Sequence, residues 1–189
     1  MRYLLLAFIA LTISGCTQLP PAEVPLPDAV QDRVVVTDID GTLTPRNFEL
    51  YTARPGAAEA LNILSGKGYK IVYLSARTPF FQSGLPDWLN ENGFPPGPLH
   101  VAQTSADRNH PDKYKAEVLN AYTEAGWHLT YAYGDSETDF TAYAEAKIPY
   151  VFALKRKGDK ECLKGTYQAC LEGWVEHLPY IEQEVPSIK

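Results

Sequence analysis

Several features are scarce in this sequence of 189 residues, and their scarcity narrows the possible functions. There are three cysteines and four histidines, without a Cys-x-x-Cys pair or a His/Cys cluster that would indicate zinc. The chain has 17 Lys and Arg and 23 Asp and Glu, and the resulting net charge of −6 gives no broad positive field for binding nucleic acid. No nucleic-acid partner is therefore expected, and an anionic ligand must be bound locally.

The first 15 residues have the pattern of an export signal. Arg2 precedes an apolar run at 3–13, which is shorter than the roughly 20 residues of a membrane span. The following Ile13-Ser14-Gly15-Cys16 resembles the bacterial lipobox, which implies that Cys16 is lipidated and anchors the chain in a membrane. Thr17 after this cysteine implies the periplasmic face of an outer membrane, with a Gram-positive cell surface as the alternative.

The rest of the chain divides into a spacer and one domain. Residues 16–31 are the lipidated cysteine and a proline-rich segment without periodicity, interpreted as a semi-extended spacer. Residues 32–189 are long enough for a single core. Within them, Cys162 and Cys170 are eight positions apart, which allows a disulfide in an oxidising compartment. Two reduced, buried thiols are the alternative.

In the domain, β-branched apolar runs alternate with helical patterns. Strands are predicted at 33–38, 69–74, 99–102, 129–133 and 150–154, and helices at 55–67, 87–92, 113–125, 137–147 and 172–183. This alternation predicts an α/β fold, a three-layer α/β/α sandwich with a mainly parallel sheet. The short connections after the first two strands predict an open site without a cap domain. Ligands of such sheets bind beyond the carboxyl ends of the strands.

Polar signals follow the predicted strands. The first is Asp38-Ile39-Asp40-Gly41-Thr42-Leu43-Thr44, in which two carboxylates leave a buried strand together. Their crowding is unfavourable unless a divalent cation with oxygen ligands occupies the site. The structural alternative is a turn that caps a helix.

Three further signals fall at matching places. Ser75 and the neighbouring backbone of Ala76 end the second strand, where a hydroxyl and N–H groups can hold phosphate oxygens. Lys113 and Lys115 open a helix, and either cation could neutralise a phosphate. Asp135 and Asp139 follow the fourth strand, with an N-cap and first-turn acids as the structural alternative.

The four signals, in this order, resemble the motifs of the haloacid-dehalogenase (HAD) phosphatase superfamily. That resemblance implies that Asp38 is a nucleophile forming an aspartyl-phosphate and that Asp40 is a general acid and base. It implies a phosphate-binding set of Thr42, Ser75, Ala76 and Lys115. It also implies Mg²⁺ as cofactor, held by Asp38, the backbone carbonyl of Asp40, Asp135 and, directly or through water, Asp139.

A narrower resemblance links Asp38-Ile39-Asp40-Gly41-Thr42, Leu74-Ser75-Ala76-Arg77, Tyr114-Lys115 and Thr138-Asp139 to the catalytic domain of lipins. Lipins are Mg²⁺-dependent phosphatidate phosphatases, and the related LNS2 domain binds phosphatidate in phosphatidylinositol-transfer proteins. The resemblance implies a phosphorylated substrate, with a phospholipid or a soluble nucleotide or sugar phosphate as candidates. A binding module without turnover and a purely structural lipoprotein are the alternatives, and the oligomeric state stays open.

Overall fold

A computed structural model of the protein describes residues 18–46 and 48–189. In this part of the chain the strands are β1 Arg33–Asp38, β2 Lys70–Ser75, β3 Leu99–Val101, β4 His128–Gly134, β5 Tyr150–Leu154 and β6 Ala169–Leu171. They form one sheet in the order β3-β2-β1-β4-β5-β6, and all neighbouring pairs are parallel. The strand order reverses between β1 and β4, and a crevice for ligands opens at such a point.

Helices cover both faces of this sheet. Their bounds are α1 Ala57–Gly66, α2 Leu85–Glu91, α3 Ser105–Asn109, α4 Pro111–Glu124, α5 Glu137–Glu145 and α6 Leu178–Gln183. Side chains alternate along β1 between two cores, so that Val35 packs with Leu61 of α1 and Val36 packs with Leu119 of α4 and Tyr143 of α5. The predicted three-layer α/β/α sandwich is therefore confirmed.

The end of the domain differs from the prediction. The helix predicted at 172–183 is wrong over its first half, because α6 begins only at Leu178, after a 3₁₀ turn at Val175–His177. Strand β6 keeps the chain extended as far as Leu171, so a helix cannot begin at 172, and buried Trp174, whose indole N–H donates to the Thr42 carbonyl at 3.0 Å, leads into the 3₁₀ turn. Pro179 lies in the first turn of α6, where a helix tolerates proline.

Residues 18–31 contain no helix or strand, and some of their backbone groups form hydrogen bonds with the domain. The backbone N–H of Leu19 donates to Gln82 Oε1 at 3.2 Å, and the Trp127 indole donates to the Pro25 carbonyl at 2.6 Å. The largely buried indole N–H needs an acceptor, and the proline-rich segment supplies it. Cys16 and the signal-like residues 1–15 lie outside the described residues.

Of the two remaining cysteines, Cys162 lies in the loop between β5 and β6, and Cys170 lies in β6 itself. Cys162 and Cys170 form a disulfide, with their Cα atoms 5.8 Å apart. Elsewhere, the described parts of the connections after β1 and β2 contain helices and turns but no separate domain, in agreement with a capless site. Within residues 18–46 and 48–189, no helix is long and apolar enough to cross a bilayer.

Candidate active site

The turn after β1 directs two carboxylates into one cleft. Asp38 ends the strand with 4% of its surface exposed, and Asp38 and Asp40 both line a cavity of about 570 Å³. The Ile39 carbonyl accepts the N–H of Thr44 at 3.0 Å, which closes a tight turn. Gly41 has a φ of 88° there, a left-handed conformation that favours glycine. This turn brings both acids to the carboxyl edge of the sheet.

Lys115 projects from the first turns of α4 into the same place. It is 3% exposed, and its Nζ donates to Asp38 Oδ1 at 2.5 Å and also to Asp139 Oδ1. Burial lowers the pKa of Lys115, but Asp139 and Asp38 raise it more, and the net shift is upward. Lys113 is exposed and does not line the cavity. Of the two candidate lysines, Lys115 is therefore the one in the cluster.

Asp139 serves both α5 and the cluster. Ser136 caps α5, and Asp139 Oδ2 accepts the Ser136 hydroxyl at 2.7 Å and the Asp135 backbone N–H at 3.2 Å. Its other oxygen, Oδ1, accepts from Lys115. The N-cap contacts therefore use Oδ2, and Oδ1 faces the cluster.

Three buried acids form a group that can hold a metal ion. Asp38, Asp135 and Asp139 each offer an oxygen, and these oxygens all lie within 4.8 Å of one another. Asp38 Oδ2 is buried without a hydrogen-bond donor among the described residues. Burial, followed by the neighbouring Asp139, raises the pKa of Asp135 to about 6. Burial and the neighbouring acids also raise the pKa of Asp38, against the opposing effect of Lys115.

Ser75 and Arg77 surround the carboxylate of Asp40. Ser75 Oγ donates to Asp40 Oδ2 at 3.1 Å, and Arg77 donates to Oδ2 at 3.1 Å and to Oδ1 at 2.6 Å. Ala76 lines the cavity between them. Sequence reasoning did not assign a role to Arg77, although this residue closes the Leu74-Ser75-Ala76-Arg77 string. A bidentate guanidinium fixes the orientation of a carboxylate more strictly than an ammonium does.

The sequence motifs also gave no indication of a second arginine in the site, Arg156. Arg156 follows β5, lines the cavity and forms an ion pair with Asp135 through its Nε. It belongs to none of the four motifs, so only its position beyond the carboxyl end of a strand could have indicated it. Arg156 partly offsets the effect of burial on the pKa of Asp135.

Thr42 is placed differently from the other predicted residues. It is fully buried and does not line the cavity. Its backbone N–H donates to the Ile39 carbonyl at 3.2 Å, and its Oγ1 has no hydrogen-bond partner in the described part of the chain. Thr42 therefore stabilises the turn that carries Asp40, without contributing to the wall of the cleft.

The fold defines the class to which the chain belongs. A putative HAD-like phosphatase from Mesorhizobium loti superposes with a TM-score of 0.54 at 16% identity, covering 87% of this chain and 88% of that one. A putative beta-phosphoglucomutase from Thermotoga maritima superposes with a TM-score of 0.55 at 15% identity, covering 81% and 99%. The chain therefore has the HAD-type α/β fold.

Sequence comparison places the chain within that class. The family model described as "PITM 1-3, LNS2 domain" matches residues 35–154, and the chain belongs to this LNS2 family. Human "Phosphatidate phosphatase LPIN2" is 28% identical over 189 residues, covering 82% of this chain and 21% of that protein. Drosophila melanogaster "Protein retinal degeneration B" is 27% identical over 151 residues, covering 76% and 12%. The chain thus spans about a fifth or less of the length of these relatives.

Proposed function

We propose that the chain is a Mg²⁺-dependent phosphomonoester hydrolase that works through an aspartyl-phosphate on Asp38. The observation that carries the proposal is the state of this carboxylate. One oxygen is held by Lys115, and the other has no donor among the described residues although it is buried beside two more acids. Such a group is fixed in place and available as a nucleophile and a metal ligand.

The acidic cluster fits Mg²⁺. Carboxylate oxygens are the ligands that this hard cation prefers, and Asp38, Asp135 and Asp139 supply them within 4.8 Å of one another. We expect the backbone carbonyl of Asp40 to add a further oxygen ligand. When bound, Mg²⁺ would neutralise the crowded carboxylates and the negative charge on the substrate phosphate.

Each side chain then has a separate role in the reaction. Asp38 attacks phosphorus, and the bond from phosphorus to the leaving oxygen breaks as Asp40 donates a proton to that oxygen. Asp40 next takes a proton from water, whose oxygen displaces Asp38 and releases inorganic phosphate. Ser75, Lys115 and the backbone of Ala76 hold the phosphoryl oxygens. Arg77 keeps Asp40 aimed at the reacting atoms through its two hydrogen bonds.

For the substrate we propose phosphatidate or another lipid phosphate. The names of the lipin relatives support this class, and an open cleft without a cap domain admits a bulky headgroup. Small soluble phosphoesters are the second possibility. A binding module without turnover is favoured only by the LNS2 match, whereas both Asp38 and Asp40 are present for catalysis.

For the location we propose an exported lipoprotein. Lipidated Cys16 would hold the domain at the periplasmic face of an outer membrane or, in a Gram-positive cell, at the cell surface. The lipobox-like residues before Cys16 and the apolar run at 3–13 support this. Mass spectrometry of the mature amino terminus would test it, because an unmodified cysteine would contradict the anchor.

The function is tested by phosphate release from the purified full chain. Phosphatidate in mixed micelles and a panel of soluble phosphoesters are assayed with Mg²⁺ and with EDTA. We expect Asp38→Asn to abolish release, and the matched control Glu137→Gln, an exposed acid in the first turn of α5, to retain it. Release that survives Asp38→Asn would overturn the mechanism. Phosphatidate binding without release from any substrate would favour the binding module.

A further inference from the structure

Exposed aromatic side chains lie at and beside the mouth of the cleft. Phe48 and Phe80 are 94% and 72% exposed, and the ring of Phe81 packs edge-on against Phe80 with centroids 4.9 Å apart. Phe48 and Phe81 line the same cavity as Asp38 and Asp40. Large apolar side chains grouped at a functional site mark an interaction surface, because exposing them to water is unfavourable. We call Phe48, Phe80 and Phe81 the aromatic rim.

Hydrogen bonds connect the aromatic rim to the site. The Tyr51 hydroxyl donates to the Phe81 carbonyl at 2.9 Å, which joins the loops after β1 and β2. Arg77, which holds Asp40, also donates to the Leu50 carbonyl at 2.9 Å. A surface that is already ordered loses little conformational entropy on binding. The rim and the catalytic acids therefore form one preorganised face.

The amino-terminal segment ends beside this face. The N–H of Leu19 donates to the side chain of Gln82, the residue after Phe81, and Gln103 donates to the Leu19 carbonyl at 3.2 Å. Cys16 precedes Leu19 by three residues in the sequence, so only a short length of chain would join a lipid on Cys16 to this face. A lipid on Cys16 would enter the bilayer close to the aromatic rim.

We propose that the aromatic rim inserts into the interface of the bilayer that holds the anchor, so that the cleft opens onto lipid headgroups. This inference rests on the proposed function and on the lipidation of Cys16. The net charge of −6 gives no overall electrostatic attraction to an anionic surface, and the proposal therefore assigns the contact to the aromatic rings and the anchor. We infer a bilayer as the partner of this face because the segment that contains Leu19 connects the face to the proposed lipid anchor.

The placement is tested with the full chain reconstituted in phosphatidylcholine vesicles. An environment-sensitive fluorophore is attached at Phe80→Cys and, as the matched control, at Leu26→Cys. Leu26 is 79% exposed and adjoins Pro25. Pro25 contacts Trp127, which directly precedes β4 and therefore lies at the amino ends of the strands, away from the cleft. We expect nitroxide-labelled lipid to quench the label at position 80 and aqueous iodide to quench the label at position 26. The unsubstituted chain corrects for labelling of the native cysteines.

Activity gives a second readout. Phe80 does not line the cleft, so Phe80→Ser should lower the ratio of vesicle phosphatidate hydrolysis to soluble phosphoester hydrolysis by about tenfold, and Leu26→Ser should leave the ratio unchanged. Equal iodide quenching at both positions would overturn the insertion, and continued Asp38-dependent hydrolysis would show that the phosphatase proposal survives. Lipid quenching at position 80 without such hydrolysis would support the insertion and overturn the phosphatase proposal.

Discussion

Replacing Lys115 with methionine tests the electrostatic design of the site. Methionine retains an apolar stem but removes the ammonium group that lies between Asp38 and Asp139. Because Lys115 is only 3% exposed, little water can replace it, and the acids lose their buried cation. Removing one partner of a buried ion pair costs about 3–5 kcal/mol. In metal-free buffer we expect the free energy of unfolding to fall by about this amount.

The size of the loss should depend on pH and on Mg²⁺. Burial raises the pKa values of Asp38 and Asp135 and Lys115 opposes that rise, so without Lys115 both pKa values lie further above their unfolded values, and stability is lost as the pH rises and recovered as it falls. The difference from the parent should therefore be larger at pH 8 than at pH 5. Mg²⁺ should reduce this difference in the free energy of unfolding. Without the competing ammonium group the acids should bind Mg²⁺ more tightly, and each tenfold gain in affinity stabilises the folded variant by about 1.4 kcal/mol at saturation. Lys115→Met should also abolish activity, and Mg²⁺ should not restore it, since the phosphoryl group loses a fixed cation.

Urea denaturation followed by tryptophan fluorescence measures these changes. The matched control is Lys113→Met, on the same helix but exposed, for which we expect a change within about 0.5 kcal/mol. Equal stabilities of the two variants at pH 8 in metal-free buffer would refute the reasoning. So would phosphate release by Lys115→Met at the parental rate.

Three further substitutions probe other parts of the site. Arg77→Lys breaks the bidentate contact with Asp40 and should lower kcat about tenfold, measured by phosphate release at saturating substrate. Gly134→Ala builds a Cβ 2.7 Å from the Cβ of Asp139 and should weaken Mg²⁺ binding about tenfold or more, measured by calorimetric titration. Cys170→Ser removes a disulfide across a sequence separation of 8 and should lower the free energy of unfolding by about 2.5 kcal/mol in urea, whereas no change would contradict the bond.

The central part of the fold follows from local sequence patterns. Buried parallel strands are β-branched runs, and the predicted strands at 33–38 and 150–154 coincide with β1 and β5. The carboxyl ends of such strands share one edge, so the motif residues after β1, β2 and β4 and the lysine at the start of the helix that follows β3 were expected to converge. Asp38, Lys115 and Asp139 do so within hydrogen-bonding distance.

The remaining contacts depend on tertiary structure that no local pattern carries. Arg156 enters the site only because β5 lies beside β4, and its neighbours in sequence form no motif. Thr42 belongs to a motif, but the tight turn at Ile39 leaves it buried away from the cleft. β6 was not predicted: it is a strand of three residues that pairs with β5 and ends at Leu171, one residue before the helix that was expected at 172–183.

The charge balance of the cluster explains how three buried acids can coexist. Asp38, Asp135 and Asp139 face two cations, Lys115 and Arg156, so the fully ionised group carries a single net negative charge. Burial penalises that excess and raises the pKa of Asp135 to about 6. A divalent cation would reverse the sign of the group, and a dianionic phosphate ester would reverse it again. Each ligand therefore lowers the electrostatic cost of binding the other, and such coupling is reciprocal. Under the proposed function, the same imbalance that makes the metal-free site unfavourable would favour the binding of a metal ion and a phosphate together.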